Sequence, residues 1–363
     1  MRQAFVHRLG ASAPDDVAPL AAAIADGRVL PEAIVAILGK TEGNGCVNDF
    51  SRGLAAVALR GLLGRYLAPE AVAEVPLAMS GGTEGGLAPH WLVLEAGPAT
   101  GGVGPALAVG RARTPRLEPW EVGRREQIEA VAAAVRTAMT HAEIAEPADV
   151  HYVQVKCPLL TGERIARAEA ARHAVATRDT LRSMRLSRGA AALGVACALG
   201  ELPRQRIWDA AVGGDLALWS SVASCSAGTE LEDNEIVVLG MSRAWTGPLR
   251  IDHAVMADGF DVEPVRGTLG RLGFAPNGQL HPDERRRLAA VLAKAEPSRS
   301  GRLRGCRHTM LDDSDVAATR HARALVGGVL GGLVGHGELF VSGGAEHQGP
   351  DGGGPVALIA ATA

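Results

Sequence analysis

The sequence has no pronounced excess of charge of either sign and no long hydrophobic run. Its 37 basic and 40 acidic residues give a formal net charge of −3, so no overall positive field is present to hold nucleic acid or an anionic membrane. The uncharged runs are shorter than the roughly 20 residues that a membrane-spanning helix needs. The N-terminal residues carry charge where a signal peptide has its apolar core. We therefore expect a cytoplasmic protein with no nucleic-acid and no membrane partner.

Cysteine and compact metal or nucleotide motifs are also scarce. The five cysteines are an odd number without CxxC spacing, which argues against a disulfide framework and against a zinc site built on thiolates. The 11 histidines include no HExxH motif, and the chain contains no GxxxxGK[ST] phosphate-binding loop. We expect reduced thiols and no organic cofactor.

Lysine is nearly absent. Of the 37 basic residues, 34 are arginine and only Lys40, Lys156 and Lys294 are lysine. Arginine stays protonated at all accessible pH values, whereas a buried lysine can lose its proton and act as a base. These three lysines are therefore candidates for positions that must hold a neutral amine.

The three lysines belong to a threefold internal repeat. Each ends or lies in an apolar, strand-like run, is followed by an arginine that opens a helical stretch, and is then followed by a Ser-small-Gly-Thr/Ala-Glu segment. The arginines aligned in this way are Arg52, Arg188 and Arg320, each predicted to lie in the first turn of its helix. The serine segments are 80–84 (SGGTE), 226–230 (SAGTE) and 342–346 (SGGAE).

Three lysine, arginine and serine sets in the same order predict three homologous structural units. Gly/Pro-rich segments place the boundaries at 1–103, 104–247 and 248–363. Alternating strand and helix patterns within each unit indicate an α/β (α+β) fold, with a short apolar strand at the start of each unit.

The repeated residue types suit acyl transfer. A serine becomes a good nucleophile beside an amine that burial or nearby positive charge keeps unprotonated. Small residues after the serine let the backbone approach a ligand and donate N–H groups to an oxyanion. A single Gly-rich segment is more often an ordinary turn, and a single arginine is more often a surface charge, so the threefold recurrence carries the prediction.

Segments 40–52 (KTEGNGCVNDFSR), 80–86 (SGGTEGG), 153–158 (VQVKCP), 226–230 and 342–350 (SGGAEHQGP) resemble the cyclic amide hydrolase family, which includes cyanuric acid hydrolase and barbiturase. The resemblance covers nearly the whole chain. It implies three units with pseudo-threefold symmetry around one central active site, the "Toblerone" arrangement, and a homotetramer. It also implies opening of a cyclic imide ring by hydrolysis of a C–N bond.

The resemblance also assigns residues. It implies Lys156 as base and Ser226 as nucleophile, with Lys40 and Lys294 in supporting Ser-Lys pairs. The acids close in sequence also favour Lys156 as the base, because a nearby carboxylate keeps an amine protonated. Lys40 and Lys294 each lie two residues from a glutamate, Glu42 and Glu296. Lys156 has no acid within four positions. The substrate-binding residues it implies are Arg52, Ser80, Gly81, Arg188, Ser226, Ala227, Arg320, Ser342 and Gly343.

Two further expectations follow from the resemblance. A structural divalent cation, Mg²⁺ or Ca²⁺, is expected near the C-terminus, because carboxylate and carbonyl oxygens suit these ions. Its ligands would be Glu296, Ala345, Gln348, Gly349, Pro350 and Gly353. Substrate preference is expected from segment 315–320, with Val316 as the specificity position.

The substrate stays open between two rings. Cyanuric acid, which would open to carboxybiuret and then give biuret and CO₂, is favoured by overall likeness and by its threefold symmetry. Barbituric acid is the alternative within the family, and a non-catalytic binding protein for a cyclic imide is the alternative from another class.

Overall fold

The computed structural model describes residues 1–275 and 277–362, and three four-stranded sheets with flanking helices dominate it. The first unit contains β1 (Arg2–Gly10), α1 (Ala18–Ala25), β2 (Ile34–Thr41), α2 (Phe50–Leu63), α3 (Pro69–Ala73), β3 (Leu77–Gly81) and β4 (His90–Pro98). The second contains β5 (Ala106–Arg113), α4 (Arg125–His141), β6 (Val150–Pro158), α5 (Gly162–Ala170), α6 (Thr180–Ala198), β7 (Ala223–Gly228) and β8 (Glu235–Ser242). The third contains β9 (Leu249–Met256), α7 (Glu263–Arg271), α8 (Pro282–Arg287), β10 (Leu288–Ala295), β11 (Arg302–Leu303), β12 (Cys306–Arg307), α9 (Ala318–Val334), β13 (Phe340–Gly343) and β14 (Gly354–Ala361).

The three sheets have the same topology. Their strand orders are β1-β4-β2-β3, β5-β8-β6-β7 and β9-β14-β10-β13. In each sheet the lysine strand pairs antiparallel with the last strand of the unit and parallel with the serine strand. The predicted α/β class with three equivalent units is confirmed, and each sheet uses strands from one unit only. The boundary residues themselves stay a prediction.

Sequence explains why the lysine strands lie at the centre of the molecule. Apolar side chains point to both faces of β2 and β6, and every residue of β2 is buried. A strand covered on both faces has no solvated side, so its lysine is carried into the interior. The expectation that each lysine lies in a strand is confirmed.

The helices begin at side-chain caps where the sequence provides them. The Asp49 carboxylate accepts from the backbone N–H of Ser51 at the start of α2, and Asp179 does the same for Arg182 at the start of α6. Arg52 is the third residue of α2, as predicted. Arg188 is the ninth residue of α6, so its predicted place in the first turn is wrong, because α6 begins two turns earlier, at the Asp179 cap. Among the helices of the described chain, none is both long and apolar enough to cross a membrane.

The units contact one another in a closed ring. The first strand of each unit lies against the lysine strand of the preceding unit, giving the contacts β5 on β2, β9 on β6 and β1 on β10. The largest core cluster draws apolar side chains from all three units, including Leu38, Val155 and Leu292 of the lysine strands. Because each unit contacts both others, the ends of the three lysine strands are brought close to one centre.

Candidate active site

Sheet register places each lysine beside one serine. The parallel pairs are Lys40 with Ser80, Lys156 with Ser226, and Lys294 with Ser342. Each serine is followed by a small residue at or next to the end of its strand. The three lysine and serine pairs that the sequence predicts are thus formed by the same strand pairing in each unit.

The three serines line one central cavity. Ser226 Oγ lies 3.2 Å from Ser342 Oγ, although the two residues belong to different units. The cavity is lined by Ser80, Gly81, Ser226, Ala227, Ser342, Gly343, Arg52, Arg188, Arg323, Gly45, Met79 and Met184. Eight of the nine predicted substrate-binding residues are therefore together, and the ninth, Arg320, is not among them.

The lysines lie behind this cavity, each at most 1% exposed. Each Nζ donates a hydrogen bond to the carbonyl that precedes the serine of another unit. These bonds are Lys40 to Val341 (2.6 Å), Lys156 to Met79 (3.0 Å) and Lys294 to Cys225 (2.9 Å). These three hydrogen bonds form a closed ring around the centre, in which each serine strand is bound by the lysine of a neighbouring unit.

The lysines differ in their remaining contacts. Lys294 Nζ lies 3.2 Å from Ser342 Oγ, and Lys40 Nζ lies 3.4 Å from Ser80 Oγ. Lys156 Nζ instead lies 3.0 Å from the Glu230 carboxylate. In the described chain, Lys156 is the lysine that has an acid as a direct partner.

Burial lowers the pKa of all three lysines, but neighbouring charges differ. Burial and the Arg188 guanidinium lower the pKa of Lys294 to about 7. Burial and Arg323 lower the pKa of Lys40 well below its usual value. For Lys156, burial lowers the pKa and Glu230 opposes the shift.

The expectation from local sequence that Lys156 is the easiest lysine to deprotonate is contradicted by this contact. Glu230 is far from Lys156 in sequence, but the strand carrying Ser226 runs beside the lysine strand and brings Glu230 back to it. By contrast, Glu296, two residues after Lys294, leaves the pKa of that lysine about 7. Spacing along a strand does not measure distance between charges in a folded sheet.

The structure also brings a different third arginine, Arg323 in place of Arg320, to the cavity. Arg323 is 2% exposed and lines the cavity, whereas the Arg320 side chain is 36% exposed and lies outside the lining. The two arginines are three positions apart on α9, so they lie about one turn apart on the same face. Alignment on the first helical turn selected the outer of the two.

The glutamate of each serine segment accounts for this arrangement. Arg323 donates to Glu84 from Nε (2.8 Å) and Nη2 (2.6 Å), and Arg188 donates to Glu346 from Nε and Nη2, both at 2.8 Å. Both are two-point contacts, which hold the guanidinium in a fixed plane. These two glutamates, of which Glu346 is buried and Glu84 partly buried, orient two of the three cavity arginines.

The first unit departs from this pattern. Arg188 and Arg323 each follow another arginine by three positions, Arg185 and Arg320, but Arg52 follows Asp49. Arg52 donates to the carbonyls of Cys46 (2.6 Å) and Ala227 (2.9 Å) rather than binding Glu230 at two points.

Two consequences follow from that departure. Glu230, without a two-point arginine partner, is free to contact Lys156. Within the described chain the buried Nε of Arg52 has no hydrogen-bond partner, and its nearest acid is Asp49, whose Oδ2 lies 3.8 Å away.

At two glycines of the lining, a Cβ would collide with side chains that surround the cavity. A Cβ at Gly81 would lie 1.7 Å from Asp49 Oδ2, and one at Gly343 would lie 2.7 Å from Arg323 Nη1.

Val316 does not line the cavity, and its backbone N–H donates to Asp313. Thr319 comes closer, since a Cβ at Gly343 would lie 3.4 Å from Thr319 Cβ. The specificity role of Val316 stays a prediction.

Two of the predicted cation ligands, Glu296 and Ala345, are in contact beside the active site. The Glu296 carboxyl is buried, and burial together with the nearby Glu346 raises its pKa to about 7. It accepts from the backbone N–H of Ala345 at 3.3 Å, and none of the described basic groups lies within salt-bridge distance of it. Gln348, in the loop from Ala345 to Gly353, is fully buried, and its side-chain amide donates to the carbonyls of Gly344 and Glu346. A buried carboxyl that lacks a basic partner and lies beside a loop with backbone carbonyls fits a hard divalent cation.

Sequence reasoning missed Arg323 and the roles of Glu84, Glu230 and Glu346. The signal for the glutamates was present, because each closes a copy of the repeated serine segment. The signal for Arg323 was the arginine pair three positions apart that α6 and α9 share.

Comparison with known proteins identifies the family of the chain. The family model described as "Amidohydrolase ring-opening protein" matches residues 5–361. A protein of Bradyrhizobium sp. (strain ORS 375) named cyanuric acid amidohydrolase is 60% identical over 364 residues, covering 99% of this chain and 98% of that one. A protein of the same name from Azorhizobium caulinodans is 58% identical, with the same coverage of both chains.

Solved structures match equally well. The crystal structure of the cyanuric acid hydrolase from A. caulinodans superposes with a TM-score of 0.94 at 58% identity and covers 100% of this chain and 99% of that one. A cyanuric acid hydrolase structure described as evolutionary innovation by structural concatenation superposes with a TM-score of 0.95 at 48% identity, covering 99% and 100%. The fold is that of the solved cyanuric acid hydrolases, and the chain is a hydrolase of C–N bonds in cyclic amides. The chain belongs to the amidohydrolase ring-opening protein family.

Proposed function

We propose that the protein hydrolyses cyanuric acid to carboxybiuret, which then loses CO₂ to give biuret. The observation that carries this proposal is the convergence of three serine, lysine and arginine sets, one from each unit, on a single cavity. Cyanuric acid is a planar ring with three equivalent carbonyls, so each set has one carbonyl to bind. Relatives at 58% and 60% identity carry the name of this activity.

The binding roles follow from charge and position. Arg52, Arg188 and Arg323 bring three guanidinium groups to the rim of the cavity, where each can donate to a ring oxygen. The serine hydroxyls and the backbone at Gly81, Ala227 and Gly343 supply shorter-range donors. Together these groups polarise the carbonyls and stabilise the oxyanion that forms during attack.

We assign the chemical step to Ser226 and Lys156. Lys156 takes the hydroxyl proton as Ser226 Oγ attacks a ring carbonyl carbon. The tetrahedral intermediate collapses, the ring C–N bond breaks, and the leaving nitrogen receives the proton from Lys156. Water then attacks the resulting ester, with Lys156 again as base, and releases the opened product and free Ser226.

The contact between Lys156 and Glu230 supports this assignment over the other two pairs. When Lys156 accepts a proton it becomes an ammonium in a buried site, and a carboxylate 3.0 Å away stabilises that charge. This is the role that the carboxylate of a Ser-His-Asp triad has toward its histidine. Lys40 and Lys294 lack such a direct partner in the described chain.

Lys294 and Ser342 are the alternative pair. Their 3.2 Å contact and the pKa of about 7 for Lys294 describe a base that is ready at neutral pH. In our assignment this pair binds and polarises a second carbonyl. The serine variants described below separate the two assignments.

We further propose a structural Mg²⁺ or Ca²⁺ held by Glu296 and the carbonyl-rich loop that includes Ala345, Gln348, Gly349, Pro350 and Gly353. Such an ion would neutralise the buried Glu296 carboxyl and fix the loop that carries Glu346. Glu346 in turn orients Arg188. The ion therefore acts on substrate binding through the arginine and takes no part in proton transfer.

A homotetramer and a cytoplasmic location stay predictions from the family resemblance. Light scattering of the purified protein, coupled to size-exclusion chromatography, tests the first. A mass four times 37.5 kDa is expected, and a monomer mass would contradict it.

The activity is tested by turnover of cyanuric acid and barbituric acid, side by side, with purified protein. We expect loss of cyanuric acid in the wild type and none in Ser226→Ala or Lys156→Arg, with Ser80→Ala and Ser342→Ala retaining measurable turnover. Preference for barbituric acid would move the substrate assignment to that ring. Turnover that persists in Ser226→Ala and disappears in Ser342→Ala would move the chemistry to the third unit.

A further inference from the structure

The first strand of each unit contacts the lysine strand of the preceding unit, and we call each of these three interfaces a seam. The seams are of two kinds. The first strand of each unit carries one polar side chain toward the lysine strand of the preceding unit. At two seams this side chain is an arginine that donates to backbone carbonyls: Arg8 to Leu288 (3.3 Å), and Arg111 to Val35 (3.2 Å). At the third seam, between β9 and β6, the equivalent residue is His253.

Sheet register establishes this equivalence. Arg8, Arg111 and His253 pair with Leu92, Val237 and Ala357 of the last strands. Those three residues in turn pair with the residue two before the lysine of each unit, which is Leu38, Gln154 or Leu292. His253 therefore stands where the other two units have arginine.

His253 faces a second histidine across the seam. Its Nδ1 lies 2.9 Å from Nδ1 of His151, near the start of β6. Asp252 Oδ1 lies 3.6 Å from the same His151 nitrogen. These three ligand atoms lie within 4.8 Å of one another, and all three residues are partly buried. Of the residues that the structure describes, these form the one such group of histidine and carboxylate ligands.

The donor set suits zinc. Two imidazole nitrogens and one carboxylate oxygen, with the fourth position open to water, form a common three-ligand zinc set. Ligand atoms about 2.0 to 2.1 Å from a tetrahedral zinc are roughly 3.3 Å apart, and the observed separations of 2.9 and 3.6 Å bracket that value. The side chains of His151 and Asp252 are 17% and 18% exposed, which leaves access for an ion and a water ligand.

Second contacts hold the ligands in place. Arg271 Nε donates to the other carboxylate oxygen of Asp252, and Arg271 Nη2 donates to the His253 carbonyl. Oxygen Oδ1 accepts from the backbone N–H of His253 at 2.7 Å and lies 3.6 Å from His151 Nδ1.

We propose that His151, Asp252 and His253 form a zinc site that joins β6 to β9 at the seam between the second and third units. The metal takes the place of the arginine-to-carbonyl contacts of the other two seams. It lies on different residues from the oxygen-rich cation site at Glu296. The proposal does not depend on which ring the enzyme opens.

Calorimetric titration of metal-free protein with Zn²⁺, in excess Mg²⁺ to fill hard oxygen sites, tests the proposal. The wild type should bind one equivalent. His253→Arg, which installs the side chain of the other seams, should fold normally and lose at least about 100-fold in Zn²⁺ affinity. His281→Ala, at an exposed histidine, is the matched control and should bind as the wild type does.

Substitution with Co²⁺ gives a second readout that identifies the ligands. Tetrahedral Co²⁺ has intense visible absorption, which should appear in the wild type and be absent in both His253→Arg and His151→Ala. Circular dichroism confirms that these variants are folded. No stoichiometric binding by the wild type, or equal binding by His253→Arg, would overturn the proposal.

Discussion

Lys156 Nζ lies 3.0 Å from the Glu230 carboxylate, a contact that the equivalent lysines of the other two units do not make in the described chain. Its origin is a single difference in the first unit, where Asp49 occupies the position held by Arg185 and Arg320 elsewhere. A threefold scaffold thus acquires one unit with distinct electrostatics. In our proposal, this difference selects the unit at which the chemistry takes place.

The contact predicts the behaviour of Glu230→Gln. Glu230 raises the pKa of Lys156 against burial, so its loss should lower that pKa and move the acid limb of the kcat/KM profile to lower pH. The ammonium formed in the reaction also loses its partner, and we expect kcat to fall roughly 10- to 100-fold.

Matched controls for that experiment are Glu84→Gln and Glu346→Gln, which release an arginine and not a lysine. They should weaken substrate binding and leave the acid limb in place. An unchanged acid limb in Glu230→Gln would show that Lys156 is not the titrating base.

A second prediction concerns the two arginines of α9. Arg323→Met removes a guanidinium from the cavity, and we expect KM for cyanuric acid to rise about 10- to 100-fold, the loss of a charge-assisted hydrogen bond. Arg320→Met removes a partly exposed contact to Glu84 and should change KM much less. Steady-state kinetics measure KM for the two variants. An equal rise of KM in both would contradict the placement of Arg323 in the site.

Much of the fold was predictable from the sequence because the repeat supplies three independent copies of each signal. A serine segment or a lysine strand that is ambiguous once becomes clear when it recurs in the same order. The starts of helices were less predictable. Arg188 lies in the third turn of α6 because that helix begins at the Asp179 cap. The repeated order of lysine, arginine and serine does not determine where the helix begins.

The charges of the site were the least predictable feature. The acid that contacts Lys156 is Glu230, which strand pairing brings to it from another segment. Glu296, although only two residues from Lys294 in sequence, contacts the C-terminal loop. Contacts of this kind depend on which strands are neighbours and in what register. Sequence spacing carries that information only after the sheet topology is known.

Gly81 gives a prediction about packing. A Cβ there would displace the Asp49 carboxylate, which caps α2, accepts from the Gly45 N–H and lies near Arg52. We expect Gly81→Ala to destabilise the protein by about 1 to 3 kcal/mol and to raise KM, because Arg52 loses its support. Ala227→Gly, at the equivalent position of the second unit, is the control and should have the smaller effect in thermal unfolding. Similar melting temperatures for Gly81→Ala and the wild type would contradict this account.

The last prediction concerns the pH dependence of stability. Lys294 has a pKa of about 7 in the folded protein and about 10.5 when unfolded, so between these values the unfolded chain binds one proton more. Stability therefore rises with pH through this window, and the penalty for burying the amine is largest below pH 7. Lys294→Met removes this contribution, so the unfolding free energy should rise less steeply, by up to about 1.4 kcal/mol per pH unit. Urea unfolding of wild type and variant at pH 7.5 and pH 9.5 measures the difference. Identical slopes would mean that Lys294 keeps an ordinary pKa in the folded protein.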